Sequence, residues 1–123
     1  MENNLLPLKE RIFKSAEIFI EDMGEFVPFG IKQSEGILKD VMAITENEGD
    51  DINGIEYVTI LKNSFEKGFF AKNIEAAGIA YDVLITVNNE KRDALCLITS
   101  IDGVNWTEES FLYKIIEGKC VWG

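Results

Sequence analysis

The sequence has no histidine, which removes His-centred triads, His general bases and His-ligated metals together. Its two cysteines, Cys96 and Cys120, are too few for a zinc site and far fewer than a secreted disulfide scaffold carries. Arg11 and Arg92 are the whole guanidinium supply, so bidentate phosphate clamps have little to work with. The phosphate-cradling patterns Gly-x4-Gly-Lys-Ser/Thr and Gly-x-Gly-x-x-Gly do not occur, nor does a Gly-x-Ser-x-Gly elbow. No uncharged apolar run approaches the ~18 residues that a membrane span needs. Met1-Glu2-Asn3-Asn4 lacks the positive start of a secretory signal. Cytoplasm, with both thiols reduced, is the expected compartment.

What remains is an ordinary globular composition. The 123 residues are 46% hydrophobic and 28% charged, which suits one domain over 1–123 with a real core. Twelve basic residues against 22 acidic give a net charge of −10. That charge repels polyanions, so neither nucleic acid nor an anionic membrane surface is an expected partner. A basic protein partner, or plain solubility, is what such a surface serves.

Periodicity sorts the chain into elements. Leu5, Leu8, Ile12, Ala16, Phe19 and Met23 recur at helical spacing, widened by Phe13 and Ile20, with Asn3 or Asn4 to cap and Gly24 to stop. Phe26 to Ile31 and Ile37 to Thr45 read as two strands. Pro28 puts the first at an edge or at its own beginning. A second helix follows on the stripe Ile52, Ile55, Val58, Leu61, Phe65 and Phe69. Ile74 to Val87, Asp93 to Ile101 and Phe111 to Ile116 make a meander, the last strand resuming at Lys119 to Trp122. The expectation is an α+β fold of order α-β-β-α-β-β-β. Both helices would lie on one face of a five-stranded, mostly antiparallel sheet, as a two-layer sandwich.

Chemistry-bearing residues are sparse. The acidic stretch Glu46-Asn47-Glu48-Gly49-Asp50-Asp51 invites a calcium reading, but its spacing departs from the EF-hand loop and capping acids explain it. Asp40 and Asp82 interrupt apolar runs and would serve as acid or base if burial raised their pKa. A solvated or ion-paired strand carboxylate accounts for them more simply. Cys96, within Ala94-Leu95-Cys96-Leu97-Ile98, reads as a small buried hydrophobe. No catalytic residue, metal ligand or cofactor is assigned. Trp106 and Trp122 either anchor a partner or fold back over the core ends.

Gly24-Glu25-Phe26-Val27-Pro28-Phe29-Gly30, with Tyr81-Asp82-Val83 and Asp93-Ala94, resembles small acidic bacterial proteins that carry a G-E-F-x-P-F-G segment after their first helix. Some of these are similar to immunity proteins encoded beside polymorphic toxins. The element order also looks in part like roadblock-type and profilin-like domains, which dimerise or scaffold, though the terminal helix of some of those folds is missing. The resemblance implies a binding module and transfers no catalytic residue. A carboxylate-dependent enzyme is the remote alternative.

Two expectations follow for the residues. Phe26, Pro28, Phe29 and Gly30 form a structural motif, the aromatics plugging the helix–sheet seam and the glycine admitting a close approach. Pairing of Asn88 with Lys91 puts Tyr81 opposite Ile98 and Val83 opposite Cys96, on one face with Ile79 and Ile85. Ala76, Gly78, Ala80, Leu84, Leu95, Leu97 and Ile101 then fill the other face. A turn one residue longer re-sorts the faces but makes neither polar. With the helices on one side only, a second copy of the chain would cover the other, making a homodimer. The candidate interface is Asp82, Leu84, Leu95, Leu97, Ile101 and Trp106.

Overall fold

The computed structural model describes residues 5–42 and 54–123. Helix α1 spans Leu6–Met23, strands β1 and β2 Phe29–Ser34 and Ile37–Met42, and helix α2 Gly54–Phe70. Strands β3 (Ala76–Val87), β4 (Glu90–Ser100), β5 (Thr107–Ile116) and β6 (Lys119–Trp122) follow. The six strands form one sheet of order β2-β1-β3-β4-β5-β6, antiparallel at every described pairing. The fold is α+β. None of the described helices is long and apolar enough to cross a membrane.

Local chemistry explains most boundaries. Pro7 sits in the first turn of α1, where its missing N–H costs nothing, and Gly24 ends the helix at φ +81 with its N–H on Ile20 O. Pro28 lies just ahead of β1, so the ladder starts at Phe29 and β1 is interior rather than an edge. The asparagine caps, the end of the second strand at 43–45, Ile52 and the acidic stretch 46–51 fall outside the described residues.

The structure corrects the expected architecture in three places. The sheet has six strands, not five. Glu117 and Gly118 both take positive φ, +50 and +79, a primed turn that reverses the chain. Lys119–Trp122 therefore returns along β5 instead of continuing it. The β3–β4 turn falls at Asn88-Asn89, φ +52 and +68, so Tyr81 pairs with Cys96 and Ile79 with Ile98. This register is two residues from the expected one, and an even shift leaves every side chain on its expected face.

The third correction is the largest. The helices do not share a face. Leu8, Ile12, Ala16 and Ile20 of α1 pack with Phe26, Phe29, Ile31, Ala76, Ala80, Leu95, Leu97 and Tyr113. Leu61 and Phe65 of α2 pack with Ala77, Ile79 and Ile98, which point the other way. Three layers result, with the sheet in the middle.

Two glycines show how closely the layers approach. A Cβ on Gly78 would lie 2.7 Å from both Ile12 and Leu8, and one on Gly30 would lie 2.7 Å from the Phe65 ring. Each helix thus meets the sheet over a position without a side chain. The face expected to await a second copy already has its cover in α1.

The aromatic segment belongs to the α1 side. Phe26 and Phe29 are 4% and 2% exposed, and their rings meet edge-on at 5.8 Å. Phe19 of α1 meets Phe29 at 5.5 Å. Emptying such an aromatic core site costs about 3–5 kcal/mol, which is the expected loss for Phe29→Ala by chemical denaturation. The same measurement separates two leucines of β3 and β4. Leu95→Asp buries an unpaired charge beneath α1 and should abolish folding, whereas Leu84→Asp, at a position 63% exposed, should leave the midpoint nearly unchanged. Folded Leu95→Asp protein would contradict this packing.

Candidate functional site

A cleft opens where the chain passes from α1 into β1. The β1–β3 ladder runs from Phe29↔Ala80 to Gln33↔Ala76, and ahead of it Pro28 offers no N–H to continue. Phe26 turns inward to the α1 core, while Val27 stays 53% exposed. Between this segment and the paired ends of β3 and β4 lies a cavity of about 520 Å3. Its polar wall is Glu25, Asp82 and Asp93, and its apolar wall includes Val27, Pro28 and Leu84. Tyr57 of α2 closes one side, and among the described residues the lining includes no lysine or arginine.

Asp82 is the best-anchored of the three carboxylates. The Tyr113 hydroxyl, on a residue 1% exposed, donates to both its oxygens, at 2.8 and 2.9 Å. Burial pushes the Asp82 carboxyl above the ordinary carboxylate range. The bonds from Tyr113 and from the Phe26 N–H pull it down, and repulsion from Asp93 and Glu25 adds to the rise. Burial first, and then the carboxylate beside it, push the Tyr113 phenol far upward, so it stays a donor. A cation entering the cleft would meet three carboxylates and, among the described lining residues, no lysine or arginine.

The expected interface residues do not come together. Asp82 and Leu84 line the cleft. Leu95 and Leu97, each 0% exposed, lie beneath α1 and present no surface. Ile101 is exposed just past the end of β4, away from the cleft lining. Trp106 packs on the α2 side, where its Nε1 donates to Glu66 at 3.3 Å and Lys62 Nζ lies 5.6 Å from its ring. Trp122 folds onto α1 instead. Its Nε1 donates to Glu17 at 2.7 Å, and its ring stands edge-on to Phe13 at 4.9 Å. Both tryptophans cover ends of the core.

The remaining candidates are local structure. Asp40 pairs with Arg11 at 2.9 Å, an exposed bridge worth about 0–1 kcal/mol. Cys96 is buried, its thiol raised by burial, and its Sγ–H donates to Glu108 at 3.1 Å. Cys120 is free too, pushed up to about 11 by burial and by Glu17 and Glu21. Neither thiol is poised to react. Asp102 ties down the loop between β4 and β5, accepting the N–H groups of Val104 and Asn105 at 2.8 Å each. Those bonds hold its carboxyl well below the usual range. Among the described residues, no group of three acids or thiols is arranged to hold a metal ion.

Sequence reasoning singled out Asp82 and missed its partners. Tyr113 lies in an apolar stretch of β5 and carries no sign of its bond. Glu25 lies within the Gly24–Gly30 segment, where Phe26, Pro28, Phe29 and Gly30 drew notice instead. Comparison of the chain with family models, with curated proteins and with solved structures finds no match.

Asp82 gives the cleft a pH signature. Because folding raises its pKa, the folded chain keeps this proton to higher pH than the unfolded chain does. The contribution is fully present below the unfolded carboxylate pKa and is lost as pH rises through the folded value. Asp82→Asn stays neutral and keeps an acceptor for Tyr113. Urea midpoints of both proteins from about pH 4 to pH 8 should diverge in the variant's favour as pH rises. A difference that is constant with pH would refute the assignment.

Proposed function

We propose that this chain is a non-catalytic protein-binding module of the immunity type, and that its partner is basic. The observation that carries this reading is the cleft between the Gly24–Gly30 segment and β3–β4. Three carboxylates share it without a cation among the lining residues, beside exposed Val27 and Leu84. A lysine or arginine suits such a site, with its aliphatic stem on the apolar rim and its charged head on the acids. The net charge of −10 would steer a basic partner toward it over a longer range.

A second reading, a carboxylate-dependent enzyme, draws on the raised pKa of Asp82. Against it, Tyr113 already donates to both Asp82 oxygens.

The product of the gene beside this one is the partner to test, by stopped-flow association across a salt series. Binding should slow steeply as ionic strength passes about 0.1 M, where the screening length falls to about 10 Å. Asp93→Lys combined with Glu25→Lys should lower the association rate about tenfold or more and flatten the salt dependence. An association rate insensitive to both salt and these substitutions would overturn the proposal.

A further inference from the structure

Beside an apolar groove, a stretch of the β5 backbone has no described strand paired along one side. β6 pairs with β5 only from Ile116↔Lys119 to Tyr113↔Trp122, after which the Gly123 N–H donates to Leu112 O at 2.8 Å. In an antiparallel ladder alternate residues aim their N–H and C=O at the same neighbour. Since Leu112 faces β6, Ser110 and Glu108 aim their backbone groups the same way, past the end of β6. On that side no described strand pairs with them, whereas on the other side β4 pairs as far as Thr99↔Thr107.

Beside this open edge lies a groove of about 600 Å3 between α1 and β5, lined by Phe13, Glu17, Phe111, Leu112 and Trp122 among others. Its aromatic wall is rigid. Phe13 stands edge-on to both Phe111 and Trp122, each at 4.9 Å.

We propose that the β5 edge at Glu108–Leu112 takes an extended segment of a partner protein as an added strand, apolar toward Phe13 and basic on its opposite face. Backbone pairing to Ser110 and Glu108 requires an extended occupant. Alternation along that strand then puts every second side chain into the groove and the others beside Glu108 and Ser110. The charges select the partner. Glu17 and Glu109 lie on the α1 side of the edge, Glu109 bound to Lys9 at 2.9 Å, and Glu108 lies on the opposite side beside Cys96. Two copies of this edge would bring their Glu108 side chains together, whereas lysines on the outer face of an incoming strand would lie beside Glu108 and neutralise it. This edge is separate from the carboxylate cleft, which shares none of the residues lining the groove.

The probe is the peptide acetyl-Lys-Val-Lys-Leu-Lys-Val-Lys-amide, titrated into isotope-labelled protein and followed by amide NMR. Saturable shifts at Glu108, Ser110 and Leu112, with slowed exchange of the Glu108 and Ser110 amides, are expected. Antiparallel pairing sets lysines opposite Glu108 and Ser110, so an analogue of equal charge that is N-methylated on the backbone of its two inner Lys residues cannot complete the ladder and should bind about tenfold more weakly or worse, a loss of about 1.4 kcal/mol. Ser110→Pro removes an outward N–H without touching the β4 ladder and should have the same effect. Should that variant misfold, the methylated peptide decides on the native chain. Equal binding of both peptides would overturn the proposal, as would shifts confined to Glu25, Asp82 and Asp93, which would support the cleft instead. So would a stable dimer without peptide whose Glu108 and Ser110 amides are already protected, since a second copy would then be the occupant.

Discussion

A sheet that is apolar on both faces must be covered twice, and this requirement organises the molecule. Along β3, Ala76, Gly78 and Ala80 alternate with Ala77 and Ile79, and all five are buried. Neither set accepts water, so one helix lies on each side. The small residues set the spacing. Gly78 admits Leu8 and Ile12 from one side, and Gly30 on the neighbouring strand admits Phe65 from the other. Burial on both faces also leaves the first halves of β3 and β1 without a solvated side, which is unusual in an antiparallel sheet.

That arrangement determines where function can sit. With both faces covered where β1 and β3 begin, what the sheet still offers is mainly its borders, among them the open stretch of β5 and the cleft where the α1–β1 connection crosses β3 and β4. Carboxylates border both places. The exposed apolar side chains at the cleft, Val27 and Leu84, share its lining with three carboxylates. Recognition that relies on charge and a few anchors suits such borders better than a large flat interface does.

Element types were legible in the sequence, because they rest on periodicity, whereas the sorting of side chains between faces depended on which of two turn lengths joined β3 to β4. Even a register misplaced by two residues kept Tyr81 with Cys96 and Leu95 with Leu97. The layer count was not legible. Two helices fit on one face or on two, and deciding between them required seeing that the smallness of Ala76, Gly78 and Ala80 makes a trough. Leu95 and Leu97 looked like interface residues for the same reason. They are apolar on a face whose cover is distant in sequence, and composition does not say whether that cover comes from the same chain. The last strand was hidden because Glu117 supplies positive φ beside Gly118, where a glycine alone reads as a simple interruption. Asp82 was conspicuous as a charge in an apolar run. Its meaning depended on Tyr113, 31 residues away.

The most direct test of the three-layer arrangement is a nuclear Overhauser spectrum of the methyl- and aromatic-labelled protein. Cross-peaks should connect the Leu8 and Ile12 methyls with the Gly78 α-protons, and the Phe65 ring with those of Gly30, whose resonances the ring current should displace. Cross-peaks from the Phe65 ring to Ala80 or Leu97 would put both helices on one face and contradict the account.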